Sequence, residues 1–356
     1  MKKSIKILLI SLCAFLMVLI ILFICFWNSF GQKISAALTV KELEKGLYSL
    51  EFIGDYGVDE FLNSGGAATD DELADFLAEY LSGGFYTLPK NANVYPFACS
   101  SIVAKNGKLT FGRNFDWTEC SAMIIHTKPK NGYESFSTAC LDFLGFGDDW
   151  LPDNSVMDKF MALAAIFVPL DGMNEKGLYV ADLMAGDDEI TSQDSDKPDV
   201  TTTTAIRLLL DKAATVDEAI SLLDGVDMNS SISSAHHLAI ADATGKSVVI
   251  EYVNNEMLVS EAYVVTNHYL ASSDKAGTGT KSSLDRFNML CEKSKTAKNE
   301  DDVLDALKLA AQNDKDRTMW SVVYHPTLKC ADFYFKQNYK NPYAILLDNK
   351  DFWLAN

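Results

Sequence analysis

The 356-residue sequence is poor in positive charge, with 31 lysines and arginines against 49 aspartates and glutamates. It has no basic cluster with interleaved aromatics, and its net charge of −18 argues against nucleic-acid binding and against docking on anionic lipid through a basic face. Closely spaced cysteines are also missing. Outside the apolar N-terminus, CxxC spacing is absent, and an odd number of cysteines is scattered along the chain: Cys99, Cys120, Cys140, Cys291 and Cys330. The sequence therefore contains no disulfide framework and leaves one candidate reactive thiol.

Metal-ligand patterns are lacking as well. His236 and His237 are adjacent on a predicted strand, so their side chains point to opposite faces, and no carboxylate or cysteine stands at ligand spacing. Asp148 and Asp149 lie in a predicted loop that supplies too few further ligands for a cation. We therefore expect no metal and no cofactor.

The longest apolar run stands at the N-terminus. Lysines at 2, 3 and 6 precede residues 7–27, which are uncharged and almost wholly apolar. A helix rises about 1.5 Å per residue, so this run is long enough to cross a hydrocarbon layer of about 30 Å. The charge bias predicts a single-pass anchor over residues 1–30, with the lysines inside and the remaining chain outside the cell membrane. The alternative is a secreted protein, released by signal cleavage near residues 35–37.

Residues 31–98 are predicted to be helical and then extended. Capping boxes at 39–42 (TVKE) and 69–72 (TDDE) each predict the start of a helix. The apolar stripe after the second box is typical of a packed helix face. The stretch 86–98 contains two prolines and is predicted to be an extended lead-in to the next residues.

Residues 98–117 are predicted to form a β-hairpin around an Asn-Gly turn at 106–107, because both turn residues tolerate positive φ. Cys99 opens the first strand, and Arg113 and Asp116 close the second, so the pairing alone brings the three together. A thiol beside a guanidinium is a site that favours the thiolate. The alternative for these residues is a buried cysteine and a surface Arg–Asp pair.

Two stretches of this hairpin, CSSI at 99–102 and FGRNFDW at 111–117, resemble the start of the choloylglycine hydrolase family. That family includes bile salt hydrolases and penicillin V acylases, and acid ceramidase-type amidases are more distantly similar. In these N-terminal nucleophile hydrolases the cysteine becomes the first residue of the mature chain, and its own α-amino group acts as the base. Further segments similar to the family follow in the expected order, at 171–178, 264–268 and 283–287.

The resemblance implies a role for each of five residues. Cys99 would be the nucleophile, and Asp116 would hold and orient its amine. Arg113 and Arg286 would stabilise charge near the sulfur, and the side-chain amide of Asn267 would donate to the oxyanion.

Two departures from the family are visible. In bile salt hydrolases the cysteine follows the initiator methionine directly, whereas 98 residues precede it here. The strand after residues 171–178 ends in those enzymes with an asparagine that helps to bind the oxyanion, and this chain has Met184 at the matching position. Within the 171–178 segment, Asn174 and Glu175 are interpreted as turn-forming residues.

Beyond the first hairpin the pattern predicts strands, then paired helices at 202–214 and from Thr215, then further strands, a helix opening at 283–287 and a closing hairpin around residues 325–327. This order, without a βαβ rhythm, indicates an α+β fold of antiparallel sheets. The resemblance makes this fold specific. It implies a four-layer αββα sandwich of the N-terminal nucleophile type over residues 99–356, preceded by the anchor at 1–30 and a helical propeptide-like segment at 31–98.

The implied function is hydrolysis of a linear, non-peptide, small-molecule amide after self-cleavage between Ala98 and Cys99. The cut is needed because an internal cysteine has no α-amino group to act as a base. Phe143, Phe146 and Trp150 are candidate linings of an apolar acyl pocket. An acyltransferase on the same fold and a surface-anchored binding protein without catalysis remain alternatives. Bile salts, penicillin V, fatty acyl amides and acyl lactones all stay open as substrates, as does the oligomeric state.

Overall fold

The computed structural model describes residues 2–88, 98–147, 150–186, 189–313, 317–347 and 353–355. Asp148 and Asp149, in the predicted loop that supplies too few ligands for a cation, lie outside these ranges. So does most of the predicted extended lead-in, residues 89–97.

The helices and strands of the described residues are numbered in chain order. The helices are α1 (Lys2–Ala37), α2 (Val58–Asn63), α3 (Asp70–Ser82), α4 (Val156–Met161), α5 (Thr202–Lys212), α6 (Val216–Leu223), α7 (Lys281–Thr296) and α8 (Glu300–Ala310). The strands are β1 (Lys41–Glu44), β2 (Leu47–Ile53), β3 (Ala98–Ala104), β4 (Thr110–Trp117), β5 (Ala122–Lys128), β6 (Ser135–Cys140), β7 (Asp171–Asn174), β8 (Tyr179–Met184), β9 (Asp199–Thr201), β10 (Asp227–Asn229), β11 (His236–Ala241), β12 (Ser247–Val253), β13 (Glu256–Glu261), β14 (Val264–Val265), β15 (Arg317–His325), β16 (Cys330–Phe335), β17 (Tyr343–Leu346) and β18 (Leu354–Ala355).

Two large sheets dominate the part of the chain that is described. One has nine strands in the order β1-β2-β5-β6-β7-β8-β11-β12-β13, and the other has seven in the order β14-β3-β4-β15-β16-β17-β18. All pairs in the seven-stranded sheet are antiparallel, as predicted. In the nine-stranded sheet β2 and β5 pair in parallel, which corrects the expectation of purely antiparallel sheets. The long chain between these two strands permits a parallel crossover.

Apolar residues occupy both faces of each sheet because side chains alternate along a strand. Phe115 on β4 stacks on Trp320 of β15, with ring centroids 4.1 Å apart, in the cluster that joins strands of the two sheets. On the opposite face of β3, Ile102 packs in a cluster with Val303 and Leu307 of α8. The second outer cluster joins the nine-stranded sheet to α1, α3, α5 and α6. The chain is thus an α+β structure with helices packed on the outer sheet faces.

The segment before Cys99 contributes strands as well as helices. The helix predicted from the capping box at 39–42 is wrong, because β1 and β2 form a hairpin there and β2 pairs with β5 through residues 47–53. Burial of alternate apolar side chains from β2 outweighs the local capping signal. The helix predicted from the second box is confirmed as α3, and the hydroxyl of Thr69 accepts from the backbone N–H of Glu72 at 3.1 Å. The Glu72 carboxylate accepts from the N–H of Ala68 and not from that of Thr69.

The hairpin of β3 and β4 is confirmed, with Ala104 paired to Thr110 across the loop. The predicted helices at 202–214 and after Thr215 are confirmed as α5 and α6, and the helix at 283–287 as part of α7. The final predicted hairpin is confirmed as β15 and β16.

α1 runs without a break from the apolar N-terminus into the folded part of the chain. Its stretch Lys6–Ile24 has a mean hydropathy of 3.4 and is long enough to cross a membrane, although a signal sequence shares these properties. Its last turns are packed, with Ala36 and Ala37 buried against the outer apolar cluster. The ammonium of Lys33 lies 3.6 Å from the ring centre of Tyr80 on α3.

Candidate active site

Cys99 lies at the start of β3, and its side chain is fully buried. The register of β3 and β4 sets its neighbours: Ala98 stands opposite Asp116, and Ser101 stands opposite Arg113. The short hairpin therefore brings the three predicted residues together, as expected from the sequence.

The guanidinium of Arg113 touches the thiol directly. Its Nη2 donates to the Cys99 sulfur at 3.3 Å and to the backbone carbonyl of Asp182 at 2.5 Å. Its Nη1 donates to the carboxylate of Asp171 in an ion pair whose two side chains are both fully buried. A buried charge needs such a partner, because desolvation would otherwise be very costly.

Asp171, the partner of Arg113 in this ion pair, was not predicted as a site residue from the sequence. Its carboxylate also accepts from the hydroxyls of Thr138 and Tyr324, each at 2.6 Å, and from the indole N–H of Trp320 at 3.2 Å. Three donors from two further strands, β6 and β15, therefore fix the carboxylate that aims Arg113. Asp171 opens the family-like segment at 171–178, which was the available signal.

The ionisation of Cys99 differs from the sequence-based expectation. Burial raises the pKa of its thiol to about 12, and the opposing effect of Arg113 is the smaller one. Nearby Asp116 and Asp182 raise the pKa further, while Arg286 lowers it. In the intact chain the thiol is therefore protonated at neutral pH, and the prediction that Arg113 alone favours the thiolate is wrong.

Asn267 bridges the backbone of Cys99 to the end of β8. Its Oδ1 accepts from the Cys99 N–H at 2.9 Å and from Nη2 of Arg286 at 3.0 Å, and its Nδ2 donates to the Met184 carbonyl at 3.0 Å. Two donors face Oδ1 and one acceptor faces Nδ2, so the orientation of the amide is fixed by its partners. Only one of the two Nδ2 protons is used by Met184.

Arg286 comes from the first turns of α7 and holds the other side of Cys99. Its Nη1 donates to the Cys99 carbonyl at 2.7 Å and to the Ser100 hydroxyl at 2.8 Å, and it lies 3.5 Å from the Asp116 carboxylate. It thus contacts the nucleophile's carbonyl, whereas Arg113 contacts the sulfur. The loop that carries Asn267 is tied to the same helix, because the Thr266 hydroxyl donates to the Ser283 carbonyl at 3.1 Å.

Asp116 is fully buried between β3 and β15. Its Oδ1 accepts from the Thr318 hydroxyl at 2.5 Å, and its Oδ2 faces Arg286. This excludes the alternative of a surface Arg–Asp pair. Thr318 is a second neighbour that the sequence did not reveal, since a hydroxyl at the start of a strand carries no distinctive signal.

The other sequence candidates lie in separate surroundings. The side chains of His236 and His237 approach Asp182 and Glu251 respectively, each to within 3 Å, which confirms that the adjacent histidines have different environments. Oδ1 of Asn174 accepts from the backbone N–H groups of Lys176 and Leu178, which confirms the turn-forming interpretation of that residue. Its Nδ2 donates to the carbonyls of Leu210 and Ala213 at the end of α5. Phe146 and Trp150 stack on each other at 4.0 Å, whereas Phe143 lines a cavity between α3 and the loops at 143–144 and 231–233.

Residues 99–270, which begin with the buried thiol, match the model of the family described as linear amide C–N hydrolases, choloylglycine hydrolase family. This segment belongs to the choloylglycine hydrolase family. Members of this family hydrolyse the C–N bonds of linear amides. A search among curated protein sequences finds no match.

Solved structures of such hydrolases resemble the chain at 17% sequence identity. A mutant of the conjugated bile acid hydrolase from Clostridium perfringens aligns with a TM-score of 0.52 over 73% of this chain and 96% of its own. A second variant of that enzyme gives 0.51 over 69% and 92%. The penicillin V acylase from Agrobacterium tumefaciens gives 0.49 over 70% and 84%. The likeness to the bile acid hydrolase establishes an α+β fold like that of N-terminal nucleophile hydrolases.

Proposed function

We propose that the protein hydrolyses a linear, non-peptide, small-molecule amide, with Cys99 as an N-terminal nucleophile released by self-cleavage after Ala98. One observation carries the proposal. Three side chains from separate elements converge on one residue: Arg113 on the Cys99 sulfur, Asn267 on its nitrogen and Arg286 on its carbonyl. A cysteine with a purely structural role needs none of these contacts. The family match, which begins at Cys99, supports the same residue.

The self-cleavage proceeds by an N-to-S acyl shift. The Cys99 thiol adds to the Ala98 carbonyl carbon and the peptide C–N bond breaks, while the thiol proton passes to the departing nitrogen. Water then hydrolyses the thioester, which leaves a carboxylate on Ala98 and a free thiol and amine on Cys99. Arg113 stabilises negative charge that develops on the sulfur, since it lies 3.3 Å away.

In the cleaved enzyme the new α-amine is the general base. An α-amino group has an ordinary pKa of about 7.7–8.0, so roughly a tenth to a sixth of it is unprotonated at pH 7, which suffices for a general base. It takes the thiol proton, which removes the need for a preformed thiolate in a site where burial opposes one. Oδ1 of Asn267 keeps its contact with this nitrogen, and Asp116 orients the resulting ammonium.

The oxyanion of the substrate requires a donor close to the sulfur. Nδ2 of Asn267 has a second proton beyond the one given to the Met184 carbonyl, and this proton is our candidate. Met184 itself offers no side-chain donor in place of the family's asparagine, so a single amide serves here.

The proposal includes the organisation of the chain. Residues 99–356 form the catalytic domain, in which two sheets lie between outer helices as the four layers of an αββα sandwich. β1 and β2 of the preceding segment extend one of these sheets. Residues 31–98 are the propeptide-like segment, and residues 1–30 anchor the protein in the cell membrane with the domain outside. Secretion after signal cleavage is the alternative to the anchor.

The proposed activity is tested by a fluorogenic panel of linear acyl amides against the full-length protein. Turnover of at least one amide, absent from a Cys99→Ala preparation, is the expected result. Adding a primary amine as acceptor distinguishes an acyltransferase from a hydrolase, because an acyltransferase would form a new amide instead of the free acid. Ligand binding with no turnover by either protein would favour the non-catalytic binding protein.

Asp116→Asn is expected to keep the fold and to lower kcat by at least about 100-fold, because the amine loses its orienting carboxylate. Thr318 can still donate to the amide oxygen of the new side chain. The matched control is Asp332→Asn, which removes a half-exposed carboxylate from β16 of the same sheet. Wild-type turnover by Asp116→Asn would show that Asp116 serves only as the partner of Arg286.

The anchor is expected to hold full-length protein in the membrane fraction through a wash with 1 M salt. At that concentration charge–charge interactions are screened beyond about 3 Å, whereas insertion of an apolar helix does not depend on charge. Detergent is expected to release it. Recovery of a soluble form whose N-terminus lies near Ala36 would establish a cleaved signal instead.

A further inference from the structure

A cavity of about 390 Å³ lies between the N-terminal segment and the catalytic domain. Its volume is in the range of small-molecule sites, roughly 300–1,000 Å³. One wall is α3, and the opposite wall is formed by the loops at 143–144 and 231–233. The apolar lining comprises Leu73, Ala74, Leu77, Leu88, Phe143 and Leu144.

On one side of the cavity, Phe143 contacts β4, the strand that pairs with the strand of Cys99. The ring of Phe143 meets the ring of Trp117 edge-on, with centroids 5.1 Å apart. Trp117 directly follows Asp116, which stands opposite Ala98 in the β3–β4 pairing. The aromatic wall of the cavity therefore contacts the residue that follows Asp116 on β4.

On the other side, Ser231 is connected through His236 to Met184 at the end of β8. The carbonyl of Ser231 lies 2.9 Å from Nε2 of His236, and His236 pairs with Met184 in the sheet. The Met184 carbonyl in turn accepts from Asn267, which holds the Cys99 nitrogen. Phe143 and Ser231 of the lining are thus linked to the neighbours of Cys99, the first through Trp117 on β4 and the second through His236 and Met184.

The chemistry of the lining selects its ligand. The described lining residues include no lysine, arginine or histidine, so an anionic ligand group would find no cationic partner there. Two aspartates, Asp70 and Asp71, stand at its rim. An uncharged apolar group gains from contact with the leucines and Phe143, at about 25 cal/mol per Å² of apolar surface removed from water.

We propose that this cavity binds the acyl part of the substrate, that it selects uncharged aliphatic acyl chains, and that α3 supplies one of its walls. The inference rests on the proposed amide hydrolysis and names its substrate class. It requires the segment before Cys99 to stay bound after the cut. The parallel pairing of β2 with β5 and the bond of 2.6 Å from the Tyr56 hydroxyl to the Asp211 carboxylate provide that attachment.

Ala74→Trp tests the proposal by filling the cavity from α3. Asp75→Trp is the matched control, because it adds the same side chain at the neighbouring exposed position of the same helix. Kinetics with acetyl and octanoyl amides of one fluorogenic amine give the ratio of kcat/KM values. Isothermal titration of octanoate and acetate into the purified proteins gives a binding readout that does not depend on turnover. The carboxylate of each acid would lie at the position of the scissile carbonyl, outside the cavity lining, so that only the aliphatic chain enters the cavity.

The octanoyl-to-acetyl ratio is expected to fall at least tenfold in Ala74→Trp and to stay at the wild-type value in Asp75→Trp, with octanoate affinity following the same pattern. An equal loss for both chain lengths, or no octanoate binding to wild type, would overturn the inference. If Ala74→Trp does not fold, Phe143→Ala is the substitute variant, and we expect it to shift the preference toward longer acyl chains. An unchanged chain-length preference in Phe143→Ala would also overturn the inference. Absent turnover of every amide would contradict the proposed function, while the titrations still decide the cavity's role.

Discussion

Cys99→Ala is expected to reduce amide turnover to background, a loss of at least about 10⁴-fold, because nucleophile and base belong to the same residue. The substitution removes the sulfur that Arg113 contacts, and it also blocks release of the amine that would act as the base. Neither loss can be relieved by a neighbouring group in the proposed mechanism. Initial rates on the most active amide of the panel measure the effect.

The control for this substitution is Cys120→Ala. Cys120 is 5% exposed and packs in the same apolar cluster as Cys99, so its truncation leaves a comparable cavity without touching the proposed chemistry. We expect it to retain wild-type turnover with a modest loss of stability. If Cys99→Ala and Cys120→Ala lowered turnover equally, the effect of Cys99 would be one of packing and the nucleophile would have to be sought elsewhere.

Asp171→Asn is expected to lower the free energy of unfolding by about 3–5 kcal/mol, because it leaves the Arg113 guanidinium buried without a counter-charge. The same change is expected to abolish turnover, since Arg113 is no longer aimed at the sulfur. Urea denaturation in the Cys99→Ala background measures the stability, so that differences in self-cleavage do not enter the comparison.

Two variants separate charge from geometry. Adding Arg113→Met to Asp171→Asn removes both charges, and we expect this double variant to regain part of the stability without regaining turnover. Glu119→Gln breaks the exposed pair with Lys336 and is expected to cost no more than about 1 kcal/mol. A loss for Asp171→Asn as small as that for Glu119→Gln would show that the buried pair does not stabilise the site.

The sequence was most informative where signals were local. The Asn-Gly turn predicted a hairpin, and its register alone brought Asp116 opposite Ala98 and Arg113 within reach of the Cys99 sulfur. The TDDE sequence at 69–72 predicted α3 correctly, since the Thr69 hydroxyl caps the start of the helix. Asn267 and Arg286 required the family resemblance, since neither residue type is distinctive at the end of a strand or the start of a helix.

The remaining features depend on contacts between distant parts of the chain. The capping box at 39–42 predicted a helix, but pairing of β2 with β5 decides the structure there. Asp171 acquires its role only through Arg113, Tyr324 and Trp320, which come from other strands. The pKa of Cys99 was misjudged for the same reason: the adjacent arginine is visible in the sequence, whereas complete burial of the thiol is a property of the packed sheets.

Intact mass and N-terminal sequencing of active, purified protein test the central claim most directly. The expected result is a fragment of residues 99–356 that begins with Cys99 and co-purifies with the N-terminal piece, beside a single uncut chain in Cys99→Ala. A fully active preparation in which every molecule runs uncut through Ala98 and Cys99 would contradict an N-terminal nucleophile.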